Sequence, residues 1–174
     1  MAPPMYEQPK IEIIGMIETP FREPAGCPIQ PSRAAGALGT VHVEPRFQAG
    51  LQDIEGFERI WLLYWLHQTP GPSMLVTPFL DQQQRGIFAT RAPARPSAIG
   101  LSVVRLLRVE DNLVHVADVD MVSGTPLLDI KPYVPEFDCH LNSRAGWFDQ
   151  SSSGRRLADD RFAPGKPDEA AGDR

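Results

Sequence analysis

Gly100-Leu-Ser-Val-Val-Arg-Leu-Leu-Arg-Val-Glu-Asp-Asn-Leu-Val-His-Val-Ala-Asp-Val-Asp120 is the stretch whose reading decides the fold. Two runs rich in β-branched residues, 100–109 and 113–120, flank the polar triplet Glu110-Asp111-Asn112, a pattern that predicts an antiparallel hairpin. In the second run, alternation sends Leu113, His115, Ala117 and Val119 one way and Val114, Val116, Asp118 and Asp120 the other. The second face thus begins apolar and ends in two carboxylates, roughly 6–7 Å apart along the strand. Apolar walls beside a carboxylate raise its pKa and make it a candidate base or cation binder. A solvated strand end would give the same spacing.

Outward from the hairpin, further strands are predicted at 11–19, 37–44, 58–67, 87–90 and 125–131. The segment 58–67 carries the most apolar run of the chain, Ile60-Trp-Leu-Leu-Tyr-Trp-Leu66. With charge before it and Thr69-Pro70-Gly71-Pro72 after it, a run this short fits a buried strand better than a helix. Pro45 opens a short helix toward Asp53, because proline suits the first helical position. Segments 20–35 and 68–85 are broken by proline and read as long loops. Prolines number 18 in 174 residues, about twice the average usage of roughly 5%, and that density disfavours long helices. About six or seven short strands with little helix predict a mainly β fold, a compact single-sheet β-barrel, which removes exposed edges. It should occupy residues 1–149. Residues 150–174, opening Gln-Ser-Ser-Ser-Gly and ending Gly-Asp-Arg, are expected to be a tail with little packing of its own, loose or lying on a partner.

At 42% hydrophobic and 22% charged residues, the chain has the composition of one ordinary globular domain. Its net charge of −5 does not suggest a nucleic-acid binder. The average conceals a local bias: residues 85–108 hold five arginines and no acid, whereas 109–138 hold seven acids and one lysine. Such neighbours can build a cleft with two chemically different walls, or simply pair with each other. Arg91 and Arg95, among prolines directly after a predicted strand, form a stiff cationic loop suited to carboxylate or phosphate. Residues 1–9 lack an apolar core and no run approaches the ~20 residues that span a bilayer, so a cytoplasmic chain with no membrane partner is expected. Cys27 and Cys139 stand far apart, and four scattered histidines show no metal spacing, so no metal is expected. Neither G-x-G-x-x-G, a Walker lysine loop nor a G-x-S-x-G elbow occurs. Physical reading alone ends at a β-rich domain with one mixed-charge cleft.

Four segments carry more. They are Pro28-Ile-Gln-Pro31; Ile54-Glu-Gly-Phe-Glu-Arg-Ile-Trp-Leu-Leu-Tyr-Trp-Leu-His-Gln68; Arg85-Gly-Ile-Phe-Ala-Thr-Arg-Ala-Pro-Ala-Arg-Pro-Ser-Ala-Ile-Gly-Leu-Ser-Val-Val104; and Val119-Asp-Met-Val-Ser-Gly-Thr-Pro-Leu-Leu-Asp-Ile-Lys-Pro-Tyr-Val-Pro135. In this order they resemble the TsaA-like (YaeB-like, TrmO) family, from about residue 11 to 148. The resemblance implies an S-adenosylmethionine-dependent methyltransferase on a single-sheet β-barrel, working as a homodimer on tRNA. Its target would be N6 of the threonylcarbamoyl-modified adenosine beside the anticodon. Carried over residue by residue, it assigns cofactor binding to Pro28, Ile29, Gln30, His67, Gln68, Arg91, Leu101 and the four residues Ala117, Asp118, Val119 and Asp120. Asp120 is the expected polar group at the reacting centre, with Tyr133 and Lys131 as further catalytic candidates; alternatively the Lys131-Pro-Tyr133 turn only closes the barrel. Many members read R-P-N-P-I-G where this chain has Arg95-Pro-Ser-Ala-Ile-Gly100, and P-R-Q-P where it has Pro28-Ile-Gln-Pro31. Two other readings stay open on sequence: methyl transfer to another nucleoside-like or small substrate, and a non-catalytic regulator that binds the cofactor.

Overall fold

The computed structural model describes residues 10–151 and 154–164. Among the described residues eight strands run in chain order: β1 (Gly15–Glu18), β2 (Leu38–Val43), β3 (Arg59–Trp65), β4 (Leu75–Val76), β5 (Arg85–Gly86), β6 (Ile99–Glu110), β7 (Leu113–Ala117) and β8 (Thr125–Pro132). Six of them close into an antiparallel barrel in the order β1-β2-β7-β6-β3-β8, while β4 and β5 pair separately. The expected mainly β, single-sheet barrel is the observed one.

Alternation builds the interior. On β3, Ile60, Leu62 and Tyr64 point inward and are buried, whereas Arg59, Trp61, Leu63 and Trp65 line the outside. Ile17, Val41, Val43, Val104, Val114, Val116 and Leu127 fill the rest of the core from the other strands. The β6–β7 hairpin turns at Asp111-Asn112, where Asp111 takes φ +55° and Asn112 Nδ2 donates to the carbonyl of Val43 at 2.6 Å. The predicted helix after Pro45 is a 3₁₀ segment, Pro45–Leu51, anchored by buried Leu51.

Three expectations need correction. The first strand begins at Gly15 rather than at 11, and Ile11 and Ile13 are exposed. Residues 87–90 are no strand: Ile87–Ala89 is a 3₁₀ turn, closed by the Thr90 amide and hydroxyl on the Ile87 carbonyl, and the strand there is only Arg85–Gly86. The hairpin's second strand stops at Ala117, because Asp118 turns left-handed at φ +72°. Period-two alternation fails at that point, so Asp118 and Asp120 do not extend the Val114–Val116 face side by side.

A second, smaller apolar cluster lies outside the barrel: Val76, Ile87, Ala92, Ala94 and Phe162, with Phe79 against it. Phe162 thus brings part of the expected tail into the fold, meeting Phe79 edge-on at 5.2 Å. Residues 165–174 of that tail lie outside the described residues. Among the described residues no helix is long and apolar enough to cross a membrane.

Candidate functional site

At one end of the barrel, β3 finishes, β6 begins and the chain leaves β7. Tyr64 pairs with Gly100 in the β3–β6 ladder, and Ser102 follows two residues on, also pointing inward. The Tyr64 hydroxyl lies 2.9 Å from Ser102 Oγ, and Ser102 Oγ donates to Asp120 Oδ1 at 2.6 Å. A line of three polar groups therefore runs from the core to Asp120. Burial pushes the Asp120 carboxyl up to about 7, against the Ser102 hydrogen bond, its own amide and the positive charge of Arg91, which all favour the ion. The same burial, with Asp120 nearby, raises the Tyr64 phenol and pushes the Cys27 thiol up to about 12, so neither ionises near neutral pH.

Arg91 is exposed and donates from Nη1 to Gln30 Oε1 at 2.8 Å, joining two loops 61 residues apart. The Arg91 loop is held from below by Arg95, whose Nη1 donates to the carbonyls of Ile87 and Thr90 at 3.1 and 2.9 Å. The Gln30 loop is held by residues 155–162. Gly26 and Ile29 donate their amides to the carbonyls of Ala158 and Arg156, and Ala158 donates back to Cys27. Leu157 bridges Pro28. Phe162 packs on Ile87, Ala92 and Ala94. One C-terminal strap therefore braces both halves of the Gln30–Arg91 contact.

His67 and Gln68 follow β3 just past Tyr64. The Gln68 amide nitrogen donates to His67 Nε2 at 3.4 Å, which leaves the ring proton on Nδ1. That Nδ1 is buried and has no hydrogen-bond partner among the described residues. A buried orphan donor costs free energy unless a ligand accepts from it. The end of the barrel thus offers a guanidinium for a carboxylate, a carboxylate for a cation or a proton, and a donor awaiting an acceptor.

The other expected residues fall as follows. Ala117 and Val119 are buried beside Asp120. Asp118 is turned away: its carboxylate takes Arg105 Nε at 2.7 Å and lies 3.8 Å from Arg59, and the Arg105 hydrogen bond holds it below the usual carboxylate range. Leu101 points outward from β6, opposite in direction to Ser102. Lys131 pairs with Asp129 at 2.7 Å, and the Tyr133 ring meets Trp61 at 6.0 Å. Both sit where β8 pairs with the Arg59–Trp61 end of β3, away from Tyr64, so this chain does not bring them to Asp120. Reading the sequence missed Tyr64, Ser102 and Cys27. The available signal was Ser102, a hydroxyl in the inward register between Gly100 and Val104.

Comparison with known proteins places these features in context. The family model described as "tRNA-methyltransferase O N-terminal domain" matches residues 16–139. A probable S-adenosyl-L-methionine-binding protein of Pyrococcus abyssi is 51% identical over 138 residues, 79% of this chain and 75% of that protein. The human tRNA (adenine(37)-N6)-methyltransferase is 34% identical over 138 residues, 75% of this chain and 31% of that protein. A crystal structure of TrmO from Pseudomonas aeruginosa superposes with a TM-score of 0.68 at 37% identity, covering 80% of this chain. This chain spans 62% of the length of that solved one.

Proposed function

The chain belongs to the tRNA-methyltransferase O family, and from that premise we propose that it transfers a methyl group from S-adenosylmethionine to N6 of the threonylcarbamoyl-modified adenosine beside a tRNA anticodon. The observation that carries the cofactor assignment is the charge layout at the barrel end. Exposed Arg91, steadied by Gln30, suits the cofactor's carboxylate, because a fixed guanidinium fork binds carboxylates well. The orphan Nδ1–H of His67 suits an acceptor on its ribose or adenine. Asp120, at the same end of the barrel, is left for the reacting amine. The residues present fit the group.

When bound, S-adenosylmethionine supplies an electrophilic methyl on a positively charged sulfur. An exocyclic adenine amine is a weak nucleophile, so the protein's part is alignment and removal of a proton. Asp120, titrating at about 7, is matched to that second task. It accepts the proton shed by the amine as the new carbon–nitrogen bond forms.

The acceptor is supported by the surface beside Arg91. Phe88 is 77% exposed, with Arg95 over its ring at 5.9 Å. Among the described residues neither Arg91 nor Arg95 has a carboxylate in ion-pair distance. An exposed ring with an arginine over it suits an unstacked RNA base and its phosphate, despite the negative net charge of the chain. We also assign a homodimer contact to the outer face of β3 and β6, where Trp65 pairs with exposed Ile99, and Leu63 with exposed Leu101. The test of the proposal is transfer of labelled methyl from the cofactor to bulk tRNA that carries the threonylcarbamoyl group but lacks the N6-methyl. Label in the threonylcarbamoyl-adenosine nucleoside is expected. Tight cofactor binding with no label in tRNA would overturn the acceptor.

A further inference from the structure

The inward side chains of β3 and β6 hold a feature that cofactor binding does not call for. We propose that Tyr64 and Ser102 are positioning residues for Asp120, a hydrogen-bonded line that fixes one carboxylate oxygen and reserves the other as the proton-accepting atom. This rests on the role given to Asp120 above and goes beyond it by naming which atom works and what holds it.

Both Tyr64 and Ser102 are buried, at 5% and 1% exposure, so their hydroxyls must be satisfied within the protein. An ionised carboxylate only accepts. Ser102 therefore spends its single proton on Asp120 Oδ1, and its oxygen accepts from the Tyr64 hydroxyl. The direction of the line is set. A proton on Oδ1 would turn that oxygen into a weaker hydroxyl acceptor and loosen the Ser102 bond. Protonation of Oδ2 disturbs neither bond, and Oδ2 has no side-chain partner among the described residues. The charged and titratable groups facing Asp120 are Arg91 from its loop, Cys27 from the strap-bound loop and Tyr64 from β3.

The backbone is arranged to permit this line. Gly100, directly opposite Tyr64, could not carry a Cβ without entering the tyrosine ring. The ring lies across the glycine, and its hydroxyl reaches the residue two further along the same inward face. The Gly100-Leu-Ser102 step thus has a stereochemical reason: the glycine makes room and the serine receives.

The test uses the full-length, ligand-free chain and follows the Asp120 carboxyl carbon by NMR through a pH titration. Ser102→Ala removes the donor to the carboxylate and should raise its titration midpoint by about one pH unit or more. Tyr64→Phe keeps the ring and the Ser102 donor but weakens its polarisation, so a smaller shift in the same direction is expected. In both variants the acid limb of the methyl-transfer rate should move with the NMR midpoint, while cofactor affinity at pH 8 stays within twofold. Should either variant fail to fold, the other decides. Midpoints equal to wild type, or a Tyr64→Phe shift opposite in sign, would overturn the proposal. Because the titration needs neither cofactor nor tRNA, its failure is separate from failure of the proposed methyl transfer.

Discussion

Two residues at the barrel end carry opposite charges for opposite reasons. Arg91 is exposed and gains its fixed direction from Gln30, so its worth lies in binding. Arg91→Ala should weaken cofactor binding by about 1.5–3 kcal/mol, the scale of a hydrogen bond to a charged group. Arg91→Lys should recover only part, since the planar fork is lost; calorimetry showing wild-type affinity in the alanine variant would remove Arg91 from the site. Asp120 is the converse, a carboxyl whose folded pKa of about 7 lies above its ordinary 3.8. Below the ordinary value both folded and unfolded forms are protonated and burial costs nothing extra. Between the two values the unfolded chain ionises first, so stability falls as pH rises, and the loss is complete above about 7. Asp120→Asn removes that loss and keeps an acceptor for Ser102. Its gain in thermal midpoint over wild type should be small at pH 4 and larger at pH 8; an equal gain at both would show that Asp120 is not held protonated by burial. The charge bias around Arg91 and Asp120 was legible in the sequence. Asp118 was misplaced because a left-handed residue is invisible to a period-two rule, and only its pairing with Arg105 shows which way it faces.

Among the elements, β3 and β6 set the site. Their apolar alternation was readable, and so was the turn of the hairpin, because inward positions of a barrel strand are filled by the core. What alternation could not show was Tyr64 in contact with Ser102, since register between strands 38 residues apart depends on closure of the whole sheet. The 87–90 misreading has a related cause: a four-residue run of mixed apolar character fits a 3₁₀ turn as well as a strand. Gly100→Ala tests the β3–β6 fit directly. The added methyl must displace the Tyr64 ring, costing about 1–3 kcal/mol as overpacking does. Urea unfolding should record that loss, and the Asp120 titration should shift with it. A variant of unchanged stability would mean the ring moves aside freely.

On the scale of the whole molecule, the barrel supplies a rigid end and the loops supply the binding groups. The strap at 155–162 ties the Gln30 loop to the cluster beneath Arg91, a long-range link where composition alone presented a tail, loose or lying on a partner. The outer face of β3 and β6 leaves Trp65 at 48%, Ile99 at 41% and Leu101 at 45% exposure on neighbouring positions. Covered by a second copy, that face would join the two subunits, and sedimentation should give a species of twice 19.3 kDa that Trp65→Glu splits. A wild-type chain that stays at 19.3 kDa at micromolar concentration would contradict the contact. The most direct test of Asp120 as the proton acceptor is single-turnover methyl transfer, at saturating cofactor, to tRNA carrying the threonylcarbamoyl group without the methyl, comparing wild type with Asp120→Asn, with cofactor affinity measured alongside. With Asp120 as the proton acceptor, affinity is kept while the rate falls by ~10²-fold or more, as for loss of a group acting in the transition state. An Asn variant with both rate and affinity unchanged would contradict it and leave Asp120 as a half-buried structural group held by Ser102.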